Sequence, residues 1–341
     1  MRVDWRGALG IGLSALLLWW VLRGTDLREV WRILASSSPL LWLLCTITAT
    51  AIFPLRARRW QALLTPLAGR LPVAPLWRAT AIGMMVNNVL PMRAGEFARA
   101  FAISRERREV PFAAAFASLA VDRLFDGVVI LALMLAATFD PSFPADASIL
   151  GVSAARIAGS AAIFLGVVLA GLYALVLFPQ PLFTITARVG RLVSPRAGER
   201  ARGLVVAFAG GLGVLQSPIL AFEVLWWTIL HWLTNAAAFY LGFLALGLDA
   251  PFAAALFVQA IIGVGVAVPS SPGFFGVFEA TALAGLTLYG IPTALAVSWA
   301  IGFHLLSFIP ITILGSWYFT RMHLHLSDLK TGARSPEPGA P

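Results

Sequence analysis

Charge is scarce in this chain, and one kind of charge is almost missing. Only 12% of its 341 residues are Asp, Glu, Lys or Arg, against about 25% in an ordinary soluble domain. Lys330 is the only lysine, so the formal charge of +9 is carried by arginine. With 59% of residues hydrophobic, too little polar surface remains to face water all round. That excludes an ordinary soluble globule and points to lipid as the solvent. An arginine excess in a soluble chain would suggest nucleic acid. Here the arginines fall between apolar runs, where they set orientation and meet anionic headgroups; no nucleic-acid partner is expected. Cys45 is the only cysteine, so an intrachain disulfide and a cysteine metal cluster are excluded. GxSxG, HExxH, Walker and CxxC motifs are also missing. His323 and His325, two residues apart, make a poor metal pair. The expectation is a transporter without catalytic motif, cofactor or metal, and an ATP-driven process would need a partner subunit.

What is present is a series of apolar runs. A spanning helix needs about 20 mostly apolar residues, and six segments qualify: Gly7–Leu22, Pro39–Leu55, Phe112–Phe139, Arg156–Phe178, Ile219–Leu248 and Thr293–Phe319. The first follows a basic start, but Trp19 and Trp20 stand where a cleavage site needs small residues, so it reads as an uncleaved span. Trp residues near the ends of several runs suit the membrane interface. Arginines after the second span (Arg56, Arg58, Arg59, Arg70), after Ser104 (Arg105, Arg107, Arg108) and between the fourth and fifth spans (Arg188, Arg191, Arg196, Arg200, Arg202) fall on one side by parity. That side is the expected cytoplasm, and both termini lie there. Gly203–Gln216 reads as an interfacial helix, and residues 321–341 as a cytoplasmic disordered tail.

Two further apolar stretches, Ala74–Ser104 and Ala250–Gly290, are interrupted. Pro91 and Gly95 cut the first; Pro269, Pro272, Gly273 and Gly276 cut the second. Proline removes a donor and clashes with the preceding turn, so neither stretch continues as one helix. The first reads as a re-entrant hairpin. The second, with longer arms, is either re-entrant or a pair of tilted spans. Each begins Ala-Pro, reaches a proline after a small-residue helix, then a glycine and a glutamate (Glu96, Glu279). A proline then opens the next span, Pro111 or Pro292. Aligning those prolines sets Arg123 beside His304. The expected fold is all-α and polytopic: six long transmembrane helices plus two broken helix pairs in an inverted repeat. It forms a single membrane domain over residues 1–320, with halves at about 39–139 and 219–320. Breaks at matching positions mark a transporter's binding site, although prolines also kink packed helices without function.

Charges inside apolar runs need a reason, since each costs roughly 2.5–3.5 kcal/mol at the bilayer centre. Asp122, Arg123 and Asp126 share the third span. They are either an internally neutralised cluster or a phosphate contact in which aspartates position Arg123. Glu223, His231 and Asn235 fall on one stripe of the fifth span. At the breaks, Arg93 and Arg99 flank a helix start near Gly95, and Ser270 or Ser271 can cap a helix with Pro272 in its first turn. Helix N-termini at membrane depth favour anions. Glu96 and Glu279 can complement those dipoles, pair with arginine or bind a coupling proton or cation, while Asn87 and Asn88 can satisfy freed backbone groups. Local capping explains the same residues without a ligand.

The segments NNVLPMRAGEFARA and VAVPSSPGFFGVFEA, with the Asp122-Arg123-x-x-Asp126 motif, resemble the lysylphosphatidylglycerol synthase transmembrane-region family, also called flippase-like domain proteins. The resemblance covers about residues 5 to 320. It implies a multi-pass protein of a bacterial or archaeal inner membrane. It further implies movement of a phospholipid or lipid-linked headgroup between leaflets, as members are thought to do for aminoacylated phosphatidylglycerol; others are associated with glycolipid, isoprenoid-linked or hopanoid pathways. A soluble aminoacyl transfer domain is not seen after the membrane region, so lysylphosphatidylglycerol synthesis by this chain is not expected. Arg93, Glu96, Arg99, Asp122, Arg123, Asp126, Ser271, Glu279 and His304 are the expected headgroup contacts. The partners expected are anionic or zwitterionic membrane lipids, a lipid-biosynthetic enzyme and a second copy of the chain. A membrane-embedded transferase, or its accessory subunit, is the alternative.

Overall fold

Helix α1 (Trp5–Leu22) leads into a short amphipathic helix α2 (Leu27–Ser36), N-capped by the Asp26 carboxylate, which accepts from the Arg28 N–H. The computed structural model describes residues 5–90, 93–149, 151–177, 212–267 and 271–324. Helices α3 (Pro39–Ala68), α4 (Val73–Val89), α5 (Gly95–Glu106) and α6 (Phe112–Ala137) follow. A two-residue β-hairpin, β1 (Ser148–Ile149) with β2 (Val152–Ser153), precedes α7 (Ala154–Leu177). After a 3-10 turn at Leu212–Gln216 come α8 (Pro218–Leu246), α9 (Phe252–Ala267), α10 (Val277–Leu288) and α11 (Thr293–Arg321). The expected interfacial helix and the tail lie largely outside the described residues, as do Pro91 and Pro269.

The described residues form a membrane protein of the all-α class, in which the two-residue β-hairpin is the sole strand pair. Among the described residues, α3, α7, α8 and α11 are long and apolar enough to cross a bilayer. Helix α6 has the length, 26 residues, but carries Asp122, Arg123 and Asp126 in its middle. Large apolar side chains stand in the open, such as Ile163 (72% exposed), Phe222 (67%) and Ile313 (63%). Water would not tolerate that surface; lipid does.

Local chemistry opens α3 and α8 in the same way. Ser38 and Ser217 each accept a hydrogen bond from the amide three residues on, with Pro39 and Pro218 following at the first helical position. Each helix also ends on a glycine with positive φ, Gly69 and Gly247. The two lie antiparallel: the Ser38 N–H donates to the Ala245 carbonyl at 3.0 Å, and Cys45 meets Ala238.

Packing repeats between the halves. Exchanging α3, α4, α5 and α6 for α8, α9, α10 and α11 carries every substantial contact among these helices onto another: α4 on α11 becomes α9 on α6, and α5 on α6 becomes α10 on α11. Helices α4 and α5 fold back as a hairpin, with Arg78 paired to Glu106 at its mouth and Gly83 against Gly95 near its tip. Helices α9 and α10 form a second, with Val258 against Gly285 and Gly265 against Thr281. The arms of the two are nearly equal, 17 and 12 residues against 16 and 12, so the second pair is not the longer one the sequence suggested. At 1.5 Å per residue no arm exceeds about 26 Å.

Helix α11 shows how the hairpins meet. Trp77, near the mouth of the first, hydrogen-bonds Tyr318 towards the end of α11, and Asn88 at its tip reaches Thr312. The second runs straight into the start of α11 through residues 289–292, and its tip reaches His304. The mouths therefore sit at opposite ends of α11 and the tips meet near its middle.

One span boundary needs correction. Span two does not stop at Leu55: α3 runs for 30 residues in all, from Pro39 to Ala68, and Arg56 and Arg59 are buried while Arg58 is exposed. The reason is helical spacing. Residues 56 and 59 share the face that turns towards α6, where Asp122 and Asp126 compensate Arg59. After span one, Arg28 and Arg32 belong to α2.

Candidate functional site

At the first tip the chain leaves α4 at Leu90 and re-enters helix at Gly95. Arg93 lies between them in the left-handed region, φ 54°, a conformation unusual for a side chain with a Cβ. Gly95 is required here: a Cβ would lie 1.9 Å from the Gly83 carbonyl oxygen. The Asn87 side chain bridges the break, its oxygen accepting from the Gly95 N–H at 2.7 Å and its amide donating to Glu96 at 3.3 Å. The expected free amides are thus partly used. Asn88 points away and donates to the Thr312 hydroxyl at 2.6 Å.

Charges gather beside this tip. Arg59 lies 2.6 Å from both Asp122 and Asp126. Arg99 reaches Asp122 at 3.3 Å and stacks over Trp60 at 4.0 Å. Arg123 bridges Asp126 at 3.1 Å and Glu96 at 3.4 Å, and Arg93 approaches Glu96 at 3.7 Å. The Trp232 indole donates to Asp126 at 2.9 Å, and His231 Nδ1 lies 3.8 Å from the same carboxylate. The expected residues Arg93, Glu96, Arg99, Asp122, Arg123 and Asp126 therefore form one network, in which the aspartates are neutralised largely by Arg59.

Arg56 stands apart. It is 8% exposed, and its hydrogen bond is a weak one to the Met84 sulfur at 3.7 Å. Counting it, five arginines (56, 59, 93, 99 and 123) face three carboxylates. Buried N–H groups remain without a partner: Arg56 Nε, Arg59 Nε, Arg99 Nε and Nη2, and Arg123 Nε. Buried donors without acceptors are costly. A doubly charged, oxygen-rich anion would offset the excess charge and offer acceptors to arginines that line open space, Arg56 foremost.

The second tip is built differently. Ser271 does not cap α10. It opens a 3-10 turn, Pro272–Phe274, and its hydroxyl donates to the Phe275 carbonyl. Gly273 and Gly276 adopt φ 66° and 85°, and α10 starts at Val277. Glu279 caps that helix by accepting from the Gly276 N–H at 2.6 Å. Its other oxygen lies 2.5 Å from His304 Nδ1, while His304 Nε2 meets the Gly273 carbonyl at 2.8 Å. Helix α1 braces the turn: the Ser271 N–H donates to the Ser14 hydroxyl, and a Cβ on Gly276 would lie 2.2 Å from the Ser14 carbonyl.

Between the tips lies a cavity of about 230 Å³. Arg56, Met84 and Asn88 line it from one half; Gly273, Phe274 and His304 line it from the other. Asn235 and Gln259, joined by a 3.0 Å hydrogen bond, add polar groups. A small adjoining pocket is walled by Arg56, Glu96, Arg99 and Arg123, so Arg56 faces both spaces. Glu279 and His304 form a pair of their own and do not join the arginine network.

Sequence reading missed Arg56, Arg59, Trp60 and Trp232 as site residues. The available signal was the three-residue spacing of Arg56 and Arg59 on a helix extended past Leu55. The stripe of His231 and Asn235 was named, and both face inward.

The chain matches the family described as Lysylphosphatidylglycerol synthase TM region over residues 7–315. It is also 29% identical over 292 residues to a protein named Glycosyltransferase AglD from Haloferax volcanii, an alignment covering 79% of this chain and 47% of that one. The chain thus spans about half the length of that relative. No solved structure matches.

Proposed function

The chain belongs to the lysylphosphatidylglycerol synthase TM region family, and from that premise we propose that it is a lipid translocase of the cell membrane. Its cargo is a phospholipid or lipid-linked headgroup carrying phosphate, passed through the cavity between two oppositely inserted hairpins. In this reading the halves are an inverted repeat, all six long helices cross the membrane, and both termini face the cytoplasm. The supporting observation is the arginine excess at the first tip, with unpartnered N–H groups on Arg56, Arg99 and Arg123 beside a cavity. Arginine presents a planar fork of donors that matches phosphate. Asp122, Asp126 and Glu96 hold that fork in place, and Arg56, which lines the larger cavity, is the contact that meets phosphate there.

The test is headgroup accessibility in proteoliposomes, read by reduction of a fluorescent phospholipid from outside. Arg56→Gln and Arg123→Gln should each slow translocation, by about tenfold for loss of one charge-assisted bond of roughly 1.4 kcal/mol or more. Gly127→Ala, at a position with open space around it, should not. Equal rates for all four proteins would defeat the assignment.

A second reading is favoured by the name of the similar archaeal protein: a membrane-embedded transferase, or accessory subunit, acting on a lipid-linked sugar. The same arginines would then hold a lipid phosphate during transfer. Product formation in detergent, where no leaflets exist, would support it over translocation.

A further inference from the structure

The two halves place the same kind of pair behind each tip, but in different chemical currencies. In the first, Glu96 of the short arm meets Arg123 of the next long helix at 3.4 Å. In the second, Glu279 meets His304 at 2.5 Å, and His304 stands at the repeat position of Arg123. An arginine stays charged at any accessible pH; a histidine does not.

Counting donors shows what the second pair contains. The Gly273 carbonyl is only an acceptor, so His304 Nε2, 2.8 Å away, carries a hydrogen. A carboxylate is also only an acceptor, and one Glu279 oxygen already accepts from the Gly276 N–H. The 2.5 Å contact between His304 Nδ1 and the other oxygen therefore needs a second hydrogen, on the ring or on the carboxyl. We propose that this contact is a proton site, and that its proton latches the tip of the second hairpin to α11.

Removing that proton leaves a carboxylate and a neutral ring with one N–H. With the hydrogen on Nε2, a ring lone pair faces the carboxylate. With it on Nδ1, a ring lone pair faces the Gly273 carbonyl. One of the two ties fails in either tautomer, and Gly273 is the residue where the turn is joined to α11. The proton has a route out, because His304 and Gly273 both line the central cavity. Little else there carries charge. Residues 7–22 of α1 and all of α9 hold no ionisable acid or base; α10 has only Glu279, and α11 has His304, Tyr318 and the terminal Arg321. Of the other helices packed on α11, α2 carries Arg28, Glu29 and Arg32, and α8 carries Tyr240, Glu223, which is paired with Arg70, and His231, which lies beside Asp126. On α4, Arg78 is engaged by Glu106. Across the cavity stands Arg56 of α3, so an anion bound at Arg56 and the proton of the latch would share one space.

The latch is argued from the second half alone; its coupling to lipid rests on the function proposed above. The experiment places spin labels at Phe274→Cys and at Ile313→Cys, an exposed position on α11, with Cys45→Ala, in nanodiscs. Wild type should give a narrow distance at low pH that broadens as pH rises. The latched-to-free ratio should fall by at most about tenfold per pH unit, the limit for one proton. Glu279→Gln supplies a permanent N–H to Nδ1 and should stay narrow at every pH. An unresponsive wild type, or a pH response retained in Glu279→Gln, overturns the proposal. Lipid movement in proteoliposomes is read in parallel, with and without a pH gradient. A responsive latch in a protein that moves no lipid sinks the translocase and leaves the proton site. Lipid movement with an unresponsive latch does the reverse.

Discussion

Arg59 and Arg56 sit one helical turn apart and have opposite fates. Arg59 is fully buried and paired with both aspartates of α6. Such a pair adds little net stability, since desolvation offsets its attraction. Breaking it is another matter, because Asp122 and Asp126 would stay buried with too little positive charge. Arg59→Met should therefore destabilise the fold by about 3–5 kcal/mol, read as a large drop in melting temperature in detergent. Arg56 has no carboxylate to abandon, so Arg56→Gln should leave that melting temperature unchanged or higher while it weakens phosphate binding. A melt in which both variants lose equal stability would show that Arg56 is structural too.

The hairpins depend on glycine where their arms touch. A Cβ at Gly95 would lie 1.9 Å from the Gly83 carbonyl, and one at Gly83 would lie 2.7 Å from the Gly95 carbonyl. Backbone cannot give way as a flexible side chain can. Gly95→Ala should spread α4 from α5 and cost at least about 1–3 kcal/mol, the usual range for overpacking. Gly127→Ala on α6 has nothing within 4 Å and should gain up to about 1 kcal/mol from helix propensity. Comparing the thermal stability of the two variants checks the claim. Helix α11 needs a similar close approach, with a Cβ at Gly315 only 2.3 Å from the Ala81 carbonyl. The arms of the first hairpin, and its seat on α11, are thus set by close backbone approach.

For the assembled bundle, the antiparallel lie of α3 and α8 is the organising contact. Cysteines replacing Ser38 and Ala245, with Cys45→Ala, should crosslink on oxidation, since the two backbones are joined by a 3.0 Å hydrogen bond. Orientation in the membrane gives a separate expectation. Arg108 and Thr293 are exposed next to the mouths of the first and second hairpins. A membrane-impermeant thiol reagent should label Arg108→Cys and Thr293→Cys from opposite sides. Labelling from one side would remove the opposed hairpins and, with them, the path proposed for the headgroup.

Much of this was legible before any coordinates. Lipid as solvent demands long apolar runs, and Pro or Gly must interrupt them wherever the backbone turns at depth; both rules act over a few neighbouring residues, so composition and order reveal them. Asn87 beside its break and the three-residue spacing of Arg123 and Asp126 belong to the same local class. What reads as a short span with a basic loop, Pro39 to Arg59, became one helix because of charges 63 to 67 positions away. The partners of Arg59, the isolation of Arg56 and the contact of His304 with the Gly273 carbonyl were decided by packing alone. Electrostatic compensation acts across space, and a linear pattern does not state which distant charge will arrive to supply it.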